Sequence, residues 1–235
     1  MQAAALALFI LAASSPAAAQ FIHVNTSTPA QDRAFSEFNH HLAGAFLLAT
    51  GALAFLSAAS TRLRFLAKVW PFLFFLPGVY LAFMSDPDVW PMGSQGLVDA
   101  FLTNPEAAEH KIYAVLLMAL GALEFQRARG RLGRFMSRWA FPILALFGAV
   151  LLIFHRHTVM ASPDMAMKGM GGMGGAMSAT MMKIQRQHIR FAIVGSAVAA
   201  SKFIYDGGFL KNRLLPFIWP VCISILGILL LVYSE

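Results

Sequence analysis

The chain has 235 residues, of which 58% are hydrophobic and 12% charged. Soluble domains average about 25% charged residues, so the composition excludes a water-soluble core and points to an all-α polytopic membrane bundle. The net charge of +7 does not call for nucleic acid, because membrane proteins gather Lys and Arg in cytoplasmic loops. The single cysteine, Cys222 in an apolar run, excludes a disulfide within the chain.

Residues 1–19 read as a signal peptide, with an uncleaved N-terminal anchor as the alternative because no Lys or Arg precedes the apolar run. A short apolar run is followed by Ser14, Ser15 and Pro16, with small residues at Ala17 and Ala19 before the expected cut. Residues 20–38 then form a polar, exported lead-in, and residues 39–235 a transmembrane domain of about six helices. The first span covers about 42–60 and is entered through Asn39, His40 and His41. The second covers about 69–84 and contains Pro71 and Pro77, which membrane helices tolerate where neighbours satisfy the released carbonyl. An acidic stretch follows, with Asp86, Asp88, Asp99, Glu106 and Glu109, and Trp90 at the level of an interfacial aromatic belt. Glu109, His110 and Lys111 open the third span, about 112–125. Arg127, Arg129, Arg131, Arg134 and Arg138 precede the fourth, about 139–154, which ends on His155. The fifth runs from near His188 to about 205 and the sixth over about 214–232. Several spans are close to the lower limit of about 17 residues, so their ends must continue into the interface.

Between the fourth and fifth spans, residues 158–187 read as a Met-rich loop. Met160, Met165, Met167, Met170, Met173, Met177, Met181 and Met182 are interleaved with glycines. A thioether is a soft ligand and, with imidazole, suits Cu(I) better than hard cations. The bland alternative is a low-complexity linker lying on the membrane surface.

The polar segments alternate in charge. Arg62, Arg64 and Lys68, the arginine run 127–138, and Lys211 with Arg213 fall on one side, which the positive-inside rule makes cytoplasmic. All seven histidines then fall on the other, exported side, with Lys183, Arg186 and Arg190 as dissenting charges there. His40, His41, His110, His155, His157 and His188 sit at four helix ends. A single histidine at a helix end needs no more explanation than contact with solvent or headgroups. Four such ends converging in a bundle predict a metal site, because ionisable groups at membrane depth are functional by default and imidazole is the commonest metal ligand. Glu37 and Glu106 stand four residues before His41 and His110, and Glu109 is adjacent to His110. Each of these carboxylates can hold a ligating imidazole in one tautomer. Glu124 is expected to pair with Arg127.

Asn39-His40-His41, Glu109-His110-Lys111, His155-Arg156-His157, the Met160–Met182 run and His188 together resemble bacterial copper-handling membrane proteins, in particular the copper-resistance D (CopD) type. The resemblance implies copper movement or buffering at the periplasmic face, with a soluble periplasmic copper carrier as partner; the exported start and six spans put both mature termini on the periplasmic side of the bacterial inner membrane. No GxGxxG, P-loop, GxSxG or HExxH motif is present, so no enzymatic activity is expected, and the partners expected are copper and membrane lipid. The rivals are a b-type cytochrome with two histidine axial ligands, which leaves the methionines idle, and a membrane assembly subunit, which explains neither feature.

Overall fold

A computed structural model describes residues 28–154 and 173–235. The expected signal peptide, His23, His155, His157, Met160, Met165, Met167 and Met170 lie outside them. The described residues are all-helical. Helix α1 (Pro29–Ala59) leads into a 3-10 helix (Thr61–Lys68) and α2 (Phe72–Met84). A short α3 (Leu97–Thr103) precedes α4 (Pro105–Ala128), α5 (Arg134–Phe154), α6 (Met173–Gly207) and α7 (Leu215–Leu231).

Local chemistry sets the helix ends. Thr28 caps α1 in a reciprocal box, its hydroxyl accepting from the Gln31 backbone N–H while the Gln31 side chain accepts from Thr28 N–H. Pro29 follows at the first helical position, where its missing N–H costs nothing. Helix α1 therefore absorbs residues 29–38, which the sequence predicts as a lead-in. Asn104 caps α4 through the Ala107 N–H, with Pro105 next, so Glu106, Glu109 and His110 lie inside the helix. The largest departure is α6. The segment expected to be a loop to residue 187 is helical from Met173, which puts Met173, Met177, Met181, Met182 and His188 on one rod of 35 residues. Beyond Gly175 the sequence is rich in Ala, Met, Lys and Gln, all strong helix formers, and the turns they build carry Gly174 and Gly175 with them.

Helices α1, α2, α4, α5, α6 and α7 pack in a closed ring, with α7 returning to α1. Glycines set two of the contacts. A Cβ on Gly44 would lie 2.7 Å from the Gly227 carbonyl oxygen, and one on Gly121 would lie 2.7 Å from that of Pro71. The α1–α7 and α2–α4 crossings are thus backbone against backbone, the close approach that small residues permit between membrane helices. Trp70, Phe74, Phe141, Trp219 and Ile223 fill one end of the ring. The outer surface is apolar instead of polar, with Val115 62%, Ile143 56%, Ile193 64% and Ile228 49% exposed, a girdle that water would not tolerate. Three helical stretches, Ala30–Ala59, Thr61–Met84 and Arg134–Phe154, are long and apolar enough to cross a membrane; Leu215–Leu231 is apolar but shorter. Helices α4 and α6 carry charges towards both ends, which lowers their mean hydropathy.

Alternation around the ring gives the bundle two unlike ends. One carries the N-terminal halves of α1, α4 and α6 with the C-terminal end of α7; it is the histidine end. The other carries the 3-10 helix, the α4–α5 turn and the α6–α7 turn; it is the basic end.

Candidate functional site

At the histidine end the core of the site is an imidazole pair from two helices. His40 on α1 and His188 on α6 stand with ring centres 5.7 Å apart, edge to face. His188 is 2% exposed. Each ring donates its Nδ1–H to the carbonyl one turn earlier on its own helix, His40 to Ser36 at 2.8 Å and His188 to Ile184 at 3.0 Å. A carbonyl can only accept, so both rings are held as the tautomer whose Nε2 carries the lone pair, the form a metal takes. Tyr233, just past α7, stacks flat on His40 at 3.8 Å, and Phe191 meets His188 edge-on at 5.5 Å. These neighbours lock the ring planes.

His41 takes no part in that pair. One residue along the helix turns it to another face, where its Nε2–H donates to the Tyr233 carbonyl at 2.9 Å. Glu37, expected behind His41, instead accepts the Glu235 N–H at 2.9 Å. Gln187 holds the same tail from α6, donating to the Ser234 carbonyl at 2.9 Å. These three residues tie the C-terminal tail across the top of the ring.

His110 lines the same interior as His40 and His188, but its Nδ1–H donates to Asp86 at 2.8 Å. The orienting carboxylate is therefore Asp86, where the sequence predicts Glu106 or Glu109; Glu106 acts on the ring through its charge. The pairing with Asp86 spans 24 positions, and no spacing in the sequence signals it. Asp86 also receives Lys111 Nζ at 3.1 Å, and Lys111 donates to the Ala82 carbonyl at 3.0 Å. Burial pushes the Asp86 carboxyl up, but the His110 bond and charge, the Ser85 hydroxyl and Lys111 outweigh it and hold the group below the usual carboxylate range. Met181 and Met182 lie exposed on α6, 40% and 51%.

Of the four helix ends expected to converge, three are described: His40 and His188 stand in contact, His110 is held on an aspartate and His41, on the same end as His40, is turned aside; the fourth end, with His155 and His157, lies outside the described residues. Among the described residues no group of three or more His, Cys, Asp or Glu side chains is arranged to hold a metal ion.

The basic end carries a second cluster that the sequence showed only in part. Glu124 pairs with Arg127 at 3.2 Å as expected, but also with Lys202 at 3.3 Å. Asp206, fully buried, binds Lys202 at 3.0 Å and receives Arg127 in a two-point contact. Lys202 Nζ also sits 4.7 Å from the Trp219 ring centre.

Comparison with family models, with curated proteins and with solved structures found no match for the chain.

Proposed function

We propose that this chain is a six-span membrane protein that captures copper at its histidine end on the exported face of a bacterial inner membrane. His40 and His188 are the binding pair, His110 stands close by, and the Met-rich segment delivers the ion. The single observation that carries the reading is the His40–His188 pair. Two imidazoles sharing an ion at about 2 Å per bond place their ring centres roughly 5–6.5 Å apart, and these two stand at 5.7 Å with matching tautomers. Imidazole together with the thioether sulfurs of the Met-rich segment is a donor set that suits Cu(I). Copper here is cargo, taken from or passed to a periplasmic carrier in uptake, resistance or delivery, with no chemical transformation.

Orientation rests on charge. Arg62, Arg64, Lys68, Arg131, Arg134, Lys211 and Arg213 gather at the basic end, which the positive-inside rule makes cytoplasmic; the mature termini then lie outside. The resemblance to the CopD type points the same way.

The test is metal analysis with an absorption spectrum on purified protein. Copper in preference to zinc, without a Soret band, is expected, and His40→Ala and His188→Ala should each weaken Cu(I) binding at least tenfold. Stoichiometric haem would hand the protein to the cytochrome reading. Unchanged copper affinity in both variants would sink the proposal.

A further inference from the structure

The ring of helices surrounds a partly open cavity of about 220 Å³ to which all six contribute side chains. Along α4 its wall runs from His110 to Leu120, and along α6 from His188 to Val198. Ten residues of helix rise about 15 Å, half the roughly 30 Å depth of a bilayer's hydrocarbon core.

Two properties define what such a space can hold. Its polar groups lie at one end only: Asn39, His40, His110, Tyr113 and His188. The rest of the wall is Leu, Phe, Ala, Ile, Val and Gly. The described lining residues also include no Asp, Glu, Lys or Arg. An engineered cavity of about 150 Å³ in another protein, lined by Leu, Ile and Phe, stays dry and takes up benzene. The present cavity is larger and equally apolar along most of its length, so its natural guest is a ring-sized apolar molecule and not a water chain.

The polar end selects the head group. The Tyr80 hydroxyl donates to Asn39 Oδ1 at 2.9 Å, so the Asn39 amide has N–H donors left to offer. Tyr113 gives its proton to the Gly148 carbonyl at 3.0 Å, and its oxygen therefore presents lone pairs. The end thus offers donors and acceptors together, suited to a neutral head that carries carbonyl or hydroxyl oxygens. Among the described lining residues a phosphate or carboxylate head would meet no cation, and Lys111, next to His110, is bound to Asp86.

We propose that this cavity binds the ring of a membrane-soluble quinone or quinol, its oxygens at the histidine end and the first part of its apolar tail directed towards Leu120 and Val198. The proposal concerns binding only. It stands on the cavity and not on copper, and chelator-treated protein tests it whatever becomes of the copper reading.

The experiment uses the full chain in phosphatidylcholine nanodiscs, titrated with radiolabelled decylubiquinone and read as retained label against empty nanodiscs. Saturable retention is expected, weakened at least tenfold in Ala145→Leu, which fills the space, with the variant's melting temperature not lowered. On the wild-type protein, decylubiquinol should compete, and decylbenzene, which lacks the oxygens, should compete at least tenfold more weakly; this arm decides even if the variant fails to fold. Retention that never saturates, or equal competition by decylbenzene, overturns the proposal. Binding seen in detergent but lost in nanodiscs assigns the cavity to phospholipid and overturns it equally.

Discussion

The basic cluster and the His40–His188 pair handle polar groups in different ways, although Asp86, His110 and Lys111 form an ion cluster at the histidine end as well. At the basic end, Glu124, Arg127, Lys202 and Asp206 neutralise one another in a buried network, and Lys202 adds the face of Trp219. Each charge there is used up on another. At the histidine end, His40 and His188 are oriented by backbone carbonyls, which fix a tautomer without supplying charge. The first arrangement ties helices together by charge; the second orients two rings through neutral backbone groups. The difference shows that burial of ionisable groups in a membrane bundle is not one signal, because their partners differ in kind.

The sharpest way to break the comparison is Lys202→Met. It leaves Glu124 and Asp206 buried with one cation between them, and removing one partner of a buried pair costs about 3–5 kcal/mol. Denaturant unfolding in nanodiscs should show that loss with Cu(I) affinity nearly unchanged in the folded fraction; equal loss of both would mean the ends are not separable. Gly44→Ala comes next. Its Cβ would meet the Gly227 carbonyl at 2.7 Å and the Leu231 nitrogen at 2.9 Å, both backbone atoms that cannot swing aside. Overpacking costs about 1–3 kcal/mol. Because Gly44 lies one turn below His40, copper affinity should fall as well, measurable by competition with a Cu(I) chelator.

Asp86→Asn should have a smaller effect, about 1–2 kcal/mol, and a pH signature. Asp86 titrates below its ordinary value in the folded protein. The stability it contributes is therefore present above the unfolded pKa of about 4 and is lost as pH falls through the folded value. Wild type should weaken relative to Asp86→Asn on descending from pH 5 towards pH 3, and parallel curves would remove the role assigned to the carboxylate. Least affected should be the Met181→Leu, Met182→Leu double variant. Exposed apolar swaps stay within about 0.5 kcal/mol, so stability should hold while loading from dilute Cu(I) slows in stopped-flow transfer.

Hydropathy and charge made much of the fold legible. The apolar runs became helices, and the separation of His40, His110 and His188 from Arg62, Arg127 and Arg213 became the two ends of the ring. What stayed hidden were pairings across the chain. In the sequence Asp86 is one acid among five in a polar segment, and only the fold carries it to His110. Lys202 has the look of a cytoplasmic anchor until α4 brings Glu124 beside it. The start of α6 is obscured by its glycines, which mask the helix propensity of the Ala and Met after them. His41 adjoins His40 in the chain, yet neighbours on a helix diverge by about a quarter turn, so adjacency does not make them partners.

Ring closure between α1 and α7 sets a timetable for biogenesis. His41 and its partner Tyr233 are 192 positions apart. At about 5–20 residues per second, α1 enters the membrane roughly 10–40 s before α7 exists to meet it. Through that interval the bare backbone at Gly44 and the polar flank of His40 and His41 face lipid or a holding factor. The stacking of Tyr233 on His40 therefore forms only after α7 has followed α1, long after His40 itself has been made.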